Sequence, residues 1–377
     1  MDFSYSDEQR MLAETLERLV ADQPAVERSA SQLTPATRER SPLWQTFAEL
    51  GLLHMPFAES VGGLGGDGTD LMIIMQALGH GLVPEPYLAG LLLPGDLLAR
   101  LATPEQRDRW LTPLLEGEHQ LALAWQERDA RYDIHAVTTS AHRQGAGWRL
   151  EGAKQLVMGA DLAAAVLVTA RIADEGRDAE RLGIFLLPAS TPGLTRHDYP
   201  TIDGQPASDL VLDGVMLDEH ACLSEDAAAA LDATFAVGIA ALCAQAVGAM
   251  QASCEQTLAF LKERRQFGTP LSTFQALQHR MVDMHLHLEQ ARSMAILAAT
   301  SLELPAPERD YRIAAAKAYC GEAARFVAEQ AIQLHGAMGM TEECLVSHYA
   351  KHLVMFDHYL GDSDYHLEYV SERLSAA

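Results

Sequence analysis

The sequence predicts an α–β–α protein: a helical domain over residues 1–120, a β domain over 121–225 and a helical bundle over 226–377. Three observations predict it. Apolar residues recur at helical spacing at both ends of the chain. Near residue 121 the pattern changes to short apolar or alternating runs broken by Gly, Pro and Asp. The chain's 377 residues are enough for two or three packed units.

The first helix is signalled by Ser6 and Gln9, a capping-box pair, followed by Met11, Leu12, Leu16, Leu19 and Val20 at helical spacing. Six glycines and one proline in "GLLHMPFAESVGGLGGDGTD" then interrupt the pattern with tight turns. A phosphate-cradling loop would need GK[ST], or GxGxxG after a strand, and neither is present. Strands are expected in "GWRLEGAKQLVMGADLAAAVLVTARI", "RLGIFLLPAS", "GLTRHDYPTIDG" and "SDLVLDGVML". Beyond residue 226, Phe274, Leu277, Met281, Met284 and Leu288 mark one helical stripe. Ala-rich segments at 235–250 and 314–332 suit close helix packing.

Composition excludes several function classes. Apolar residues make up 48% and charged residues 21%, ordinary for a globular protein, but the net charge is −24. Such a surface repels phosphate backbones and anionic headgroups, so neither nucleic acid nor membrane is an expected partner. The five cysteines form no CxxC pair and read as free thiols. The start "MDFSYSDEQRMLAE" has no apolar run behind a basic segment, and no stretch approaches a membrane span, so a cytoplasmic protein is expected. The stretch "FDHYLGDSDYHLEY" at 356–369 gathers acids and histidines, but its spacing matches no metal template, and they read as the polar end of a helix. No metal is expected.

Two C-terminal stretches carry a family signal: "RRQFGTPLSTFQALQHRMVDM" at 264–284 and "QLHGAMGM" at 333–340. They resemble the RxxFG…FQ and QxxGGxG motifs of the acyl-CoA dehydrogenase flavoproteins, and the α–β–α order agrees over the whole chain. The resemblance implies an N-terminal all-α domain, a middle β-barrel-like domain and a C-terminal four-helix bundle that builds the oligomer. It also implies FAD, held by motifs that reach across an interface to the neighbour's cofactor. Arg264 would meet the pyrophosphate as a bidentate fork, with Phe267 and Gly268 closing the turn behind it. Gln275 and Gln333 would offer amides, and Gly336 and Gly339 would let the backbone approach, with Ala337 replacing the family's second glycine.

The family reaction removes an α-proton from an acyl-CoA thioester and passes the β-hydrogen as hydride to flavin, so it needs a carboxylate base. Matching Gly361 to the family's "EGT" puts Leu360 at the glutamate position. The alternative base position of some branches falls near Gly238. Neither residue can take a proton. The flavin-contacting loop "xTEPxAGSD" corresponds to "QERDARYD" at 126–133. Glu127, Ala130 and Asp133 are kept, while Gln126, Arg131 and Tyr132 replace threonine, glycine and serine. In "GAKQLVMG" at 152–159, Leu156 and Met158 replace tryptophan and threonine of the "GxKxWITN" strand.

The resemblance is greatest to small, non-catalytic subunits of two-component enzymes, such as pimeloyl-CoA dehydrogenases and those handling steroid side chains. It implies a homologous catalytic partner, with FAD shared between the subunits and acyl-CoA bound through the complex. Two other readings stay open. One is a homotetramer using an unusual base, for which Asp362 is the candidate although it falls where a cofactor-contacting threonine belongs. The other is a non-enzymatic or nucleic-acid-associated member, which would need a basic patch beyond "ERRQFG". The acyl group is not legible.

Overall fold

The computed structural model describes residues 5–21, 42–172 and 181–376. Residues 1–4 and 22–41 of the expected N-terminal helical domain lie outside the described residues. The chain divides into two compact units. A helical unit takes Met1–Gln32, Asp67–Pro84 and Ile239–Ala377, and a mixed unit takes Leu33–Gly66 and Glu85–Gly238.

In the helical unit, α1 spans Asp7–Ala21 and begins at the expected capping box: Ser6 N donates to Gln9 Oε1 at 3.1 Å, and Gln9 N to Ser6 Oγ at 3.1 Å. Leu16 and Val20 are buried, while Met11 of the expected stripe faces solvent. The mixed unit holds α2 (Pro42–Glu49). In the helical unit α3 runs from Gly68 to His80, capped by Asp67, whose side chain accepts from Thr69 N and Asp70 N.

An eight-stranded, mainly antiparallel sheet dominates the mixed unit: β1 (Gln120–Ala124), β2 (Ser140–Gln144), β3 (Gly147–Met158), β4 (Ala163–Ile172), β5 (Arg181–Pro188), β6 (Leu194–Pro200), β7 (Pro206–Leu217) and β8 (Cys222–Ser224). Strand order is β6-β7-β3-β2-β4-β5-β8, with β1 pairing parallel to β4. The inward residues form one core in which Trp148 meets Phe185 edge-on at 5.1 Å. Strands β4 and β5 read as nearly continuous apolar runs because both of their faces are buried.

Helix α4 (Leu93–Leu101) belongs to the mixed unit. Helix α5 (Ala228–Glu263) starts in the mixed unit and continues into the helical one. It corrects one sequence expectation: its 36 residues, with a window of hydropathy 1.8, are long and apolar enough to cross a membrane. Inside the protein 83% of that window is buried, so it is a core helix. The helical unit is completed by α6 (Gln275–Thr300), α7 (Ala306–His335), α8 (Leu345–His358) and α9 (Ser363–Ala376). Only the second half of the expected α6 stripe, Met284 and Leu288, is fully buried. Small residues let these helices approach closely: a Cβ on Gly79 would stand 1.9 Å from Gln245 O, and one on Gly248 2.0 Å from Gln76 O. Alanines 316, 323, 324, 328 and 331 are buried along α7 for the same reason.

Candidate functional site

In the mixed unit, the loop at 126–133 is anchored from below. Lys154 is fully buried on β3 and donates to Glu127 Oε1 at 2.7 Å and to Thr169 Oγ1 at 2.8 Å. Glu127 also accepts from Thr138 N at 2.8 Å, from Thr139 N at 3.0 Å and from the Thr138 hydroxyl. Burial alone would raise Glu127, but the charge of Lys154 and these hydrogen bonds hold it at about 2. Burial drives the Lys154 ammonium down to about 8, against the pull of Glu127.

The loop is also tied to β3 through the main chain. Gln155 N donates to Gln126 O at 2.9 Å, joining the loop to a β3 bulge whose register slips between Lys154 and Val157. At the bulge Leu156 has φ +51°, and its N–H donates to Asp209 Oδ1 at 3.2 Å. Arg131 has φ +48°. Both residues hold a left-handed backbone that favours glycine and costs an L-residue about 1–2 kcal/mol. Arg131→Gly is therefore expected to gain stability, although glycine's larger unfolded-state entropy takes back about 0.4–1 kcal/mol. Arg131→Ala keeps a Cβ and should gain nothing; urea midpoints of the two variants check this.

A cavity of about 820 Å³ lies beside the loop within the same unit, lined among others by Arg128, His135, Arg171 and Arg181. His135 Nε2 lies 2.8 Å from Asp232 Oδ1, and that hydrogen bond raises the imidazole above its ordinary value. The lining also carries Glu127, Asp129 and Asp226, and Arg181 is paired with Glu225 at 2.9 Å, so the cavity is of mixed charge.

In the helical unit, Arg264 follows α5, its N–H donating to Phe260 O at 2.8 Å while its carbonyl accepts from Leu271 N at 2.8 Å. The next residues form a hairpin, β9 (Arg265–Gln266) with β10 (Thr269–Pro270). Its two-residue tip is Phe267 at φ +55° and Gly268 at φ +83°, the backbone of a tight hairpin turn. Phe267 is 93% exposed, and its ring stands edge-to-face with that of Phe274, centres 6.2 Å apart. Gln275 is exposed at the start of α6, and Gln333 in the last turn of α7. Gly336 ends α7 at φ +64°, with nothing within 4 Å of a built Cβ. Gly339 is buried, where a Cβ would meet His335 Cβ at 2.9 Å.

One contact missed by the sequence reading joins these pieces. Phe260, one turn before Arg264, stacks on His335, the residue before Gly336, at 4.3 Å. The arginine and the glycine turn thus stand at neighbouring helix ends.

The "FDHYLGDSDYHLEY" stretch corrects the reading of a mere polar helix end. Leu360 is buried, 3% exposed, at φ +59°, and its carbonyl accepts from His366 Nε2 at 2.9 Å. The buried Lys317 donates to the carbonyls of Phe356 at 3.1 Å, Asp357 at 3.0 Å and Gly361 at 2.6 Å. Asp357 accepts from Ser363 Oγ and Arg325 Nη2, both at 2.6 Å. Burial pushes the Asp357 carboxyl up, but those hydrogen bonds hold it below its ordinary value. Burial, reinforced by the charge of Lys317, pushes His366 down to about 4. Asp362 caps α9, accepting from Tyr365 N at 2.8 Å. Gly238 is buried in α5 and offers no side chain. Among the described residues, no group of three or more His, Cys, Asp or Glu could hold a metal ion.

Family models for acyl-CoA dehydrogenases match in three consecutive parts: the N-terminal domain at residues 6–118, the middle domain at 122–215 and the C-terminal domain at 228–375. The acyl-CoA dehydrogenase fadE12 of Mycobacterium bovis is 30% identical over 318 residues, 80% of each chain. A glutaryl-CoA dehydrogenase from Mycobacterium smegmatis, solved in complex with FADH2, superposes with a TM-score of 0.89 at 24% identity, covering 99% of this chain and 96% of that one. A variant of the Tcur3481–Tcur3483 steroid ACAD superposes with a TM-score of 0.85 at 28% identity, covering 98% of each chain.

Proposed function

Because this chain belongs to the acyl-CoA dehydrogenase family of FAD-dependent oxidoreductases, we propose that it is the non-catalytic subunit of a heteromeric member. It contributes half of the partner's FAD site, and the partner supplies the base. The observation that carries this reading is one-sidedness. On the chain's own side, Arg131, Leu156 and Leu360 keep a left-handed backbone but present side chains with no role in flavin binding or proton removal. Arg131 and Leu156 do not fit a flavin approaching that backbone, and no step is derived through one there. Leu360 occupies the base position with an aliphatic side chain.

The other side fits the cofactor. Arg264 would bind the pyrophosphate, Gln275 and Gln333 would offer amides, and Gly336, open around its Cβ position, would admit a close approach. The exposed Phe267 at a strained hairpin tip supports a role against a neighbouring chain, since an aromatic so presented gains most when a partner covers it. FAD, when bound, accepts the substrate hydride; this chain's residues hold and orient it. The Tcur3481–Tcur3483 steroid ACAD, named for two proteins, supports a homologous second chain and a bulky acyl group. The homotetramer reading is weakened because Asp362 already serves as a helix cap.

Co-expression with a homologous chain that carries the glutamate tests the proposal. The complex should hold about one flavin per pair of chains, and this chain alone should be colourless. Arg264→Ala in this chain should weaken flavin retention by about 2 kcal/mol, the value of a charge-assisted hydrogen bond. A lone chain that purifies yellow and bleaches with an acyl-CoA overturns the reading.

A further inference from the structure

We propose that Phe260 and His335 are positioning residues for the cofactor-holding edge of the helical unit. Their stacked rings set Arg264 and the Gly336 backbone in one register, and Gly339 is a glycine to seat His335 rather than to meet the cofactor. This inference rests on the reading that the chain grips its partner's FAD.

The two gripping elements end different helices. Arg264 is the first residue past α5, and its N–H donates to Phe260 O at 2.8 Å, so the last turn of α5 carries it. Gly336 follows α7 directly, its N–H donating to the carbonyls of Ile332 and Gln333, so the last turn of α7 carries it. A ligand held by both ends needs them fixed to within about 0.5 Å of each other's productive position.

The Phe260–His335 stack spans the two turns, with ring centres 4.3 Å apart and planes 23° from parallel. Aromatic pairs of this kind stabilise by more than their buried area alone. His335 is itself held from two sides. Its Nδ1 lies 2.9 Å from the Ala331 carbonyl, a contact that only a protonated Nδ1 can make, while burial pushes the imidazole below its ordinary value. The ring is therefore neutral and fixed in one tautomer. Behind it, a Cβ on Gly339 would stand 2.9 Å from His335 Cβ and 3.1 Å from Ile332 O. Gly339 is buried, whereas Gly336 is open around its Cβ position. The two glycines of this turn thus have different roles: one admits a ligand and the other admits the histidine.

Variants of this chain in the co-expressed complex separate register from simple packing, read as the FAD dissociation constant. His335→Phe keeps a ring for Phe260 and loses the Ala331 hydrogen bond; His335→Asn keeps a donor for Ala331 and loses the ring. His335→Phe should stay within about twofold of the unaltered complex, and His335→Asn should bind FAD about fivefold more weakly or worse. Phe260→Leu should match His335→Asn, and the double variant should be no weaker than either single one, because both remove one shared contact. Phe260→Leu also reads the contact from α5 should His335→Asn not fold. In the free chain, hydrogen exchange in His335→Asn should rise over both 264–271 and 336–341. Equal loss in His335→Phe and His335→Asn, full retention by His335→Asn and Phe260→Leu, or exchange that rises at one end alone or at neither overturns the proposal. If Arg264→Ala loses flavin while every stack variant keeps it, this inference fails alone. A complex indifferent to Arg264→Ala overturns the subunit reading and this inference with it.

Discussion

Lys154→Met is expected to cost about 3–5 kcal/mol of folding stability near neutral pH, because it strands the ionised Glu127 in the sheet's interior. The intact pair contributes little net energy. Glu127 is held near 2 and Lys154 near 8, so the carboxylate's gain and the ammonium's desolvation oppose each other. Removing one partner exposes the penalty that the pair conceals. The sign with pH follows. Glu127 has a folded value below its unfolded one, so its contribution is present above the unfolded value of 4.5 and is lost as pH falls toward about 2. In Lys154→Met the charge and hydrogen bond of the lysine are gone and only the Thr138 and Thr139 hydrogen bonds still favour the carboxylate, so Glu127 protonates more readily in mild acid. The deficit measured by urea unfolding should therefore be largest at about pH 7 and smaller at about pH 4. A deficit unchanged across that range would mean that lost packing, not a stranded charge, is responsible. The double variant Glu127→Gln with Lys154→Met should recover part of the loss, since two neutral groups replace one uncompensated charge.

Lys317→Met should be nearly as severe but different in location. Its ammonium is the donor to three main-chain carbonyls around Leu360, and methionine supplies no donor to any of them. The Phe356 carbonyl keeps the Tyr359 N–H at 3.3 Å, while those of Asp357 and Gly361 lose their Lys317 donor. A buried carbonyl without a partner costs about 1–3 kcal/mol, and such effects are not additive, so a loss of about 2 kcal/mol or more is expected. The Arg325–Asp357–Ser363 contacts remain, so the turn should loosen rather than the whole unit unfold. Hydrogen exchange should rise over residues 356–366 before it rises in α7. Lys154→Met, by contrast, should accelerate exchange throughout the sheet. Uniform acceleration over the helical unit in Lys317→Met would refute the local latch.

Much of the fold was legible from periodicity. The Ser6–Gln9 cap, the strands from "GWRLEG" to "GVML" and the return of helix near residue 226 follow from local spacing and turn chemistry, which a linear pattern records. The stripe on α6 was only half right, because side chains near an exposed helix start obey the same spacing without being buried. The long apolar α5 was missed as a membrane-length segment: alanines and small residues dilute its visual hydrophobicity, and only packing shows that it is a core helix.

The site divides along the same line. Replacements at Gln126, Arg131, Leu156 and Leu360 are visible as residue types. The left-handed backbone shared by Arg131, Leu156 and Leu360 is not; at Leu156 and Leu360 it goes with the Gln126–Gln155 pairing, the Asp209 contact and the Lys317 and His366 hydrogen bonds, between residues distant in sequence. The acids of "FDHYLGDSDYHLEY" show why composition misleads: Asp357 looks like its neighbours but is buried against Arg325 and Ser363, while Asp362 caps a helix. By itself the sequence determined the order of helical and β segments, the family motifs and the absence of a glutamate at Leu360, because these depend on residue identity and local spacing. Tertiary structure alone decided that the Leu360 turn is locked by a buried lysine and that Phe260 and His335 align the Arg264 and Gly336 ends. The reason is that these features depend on contacts whose partners lie tens of residues apart.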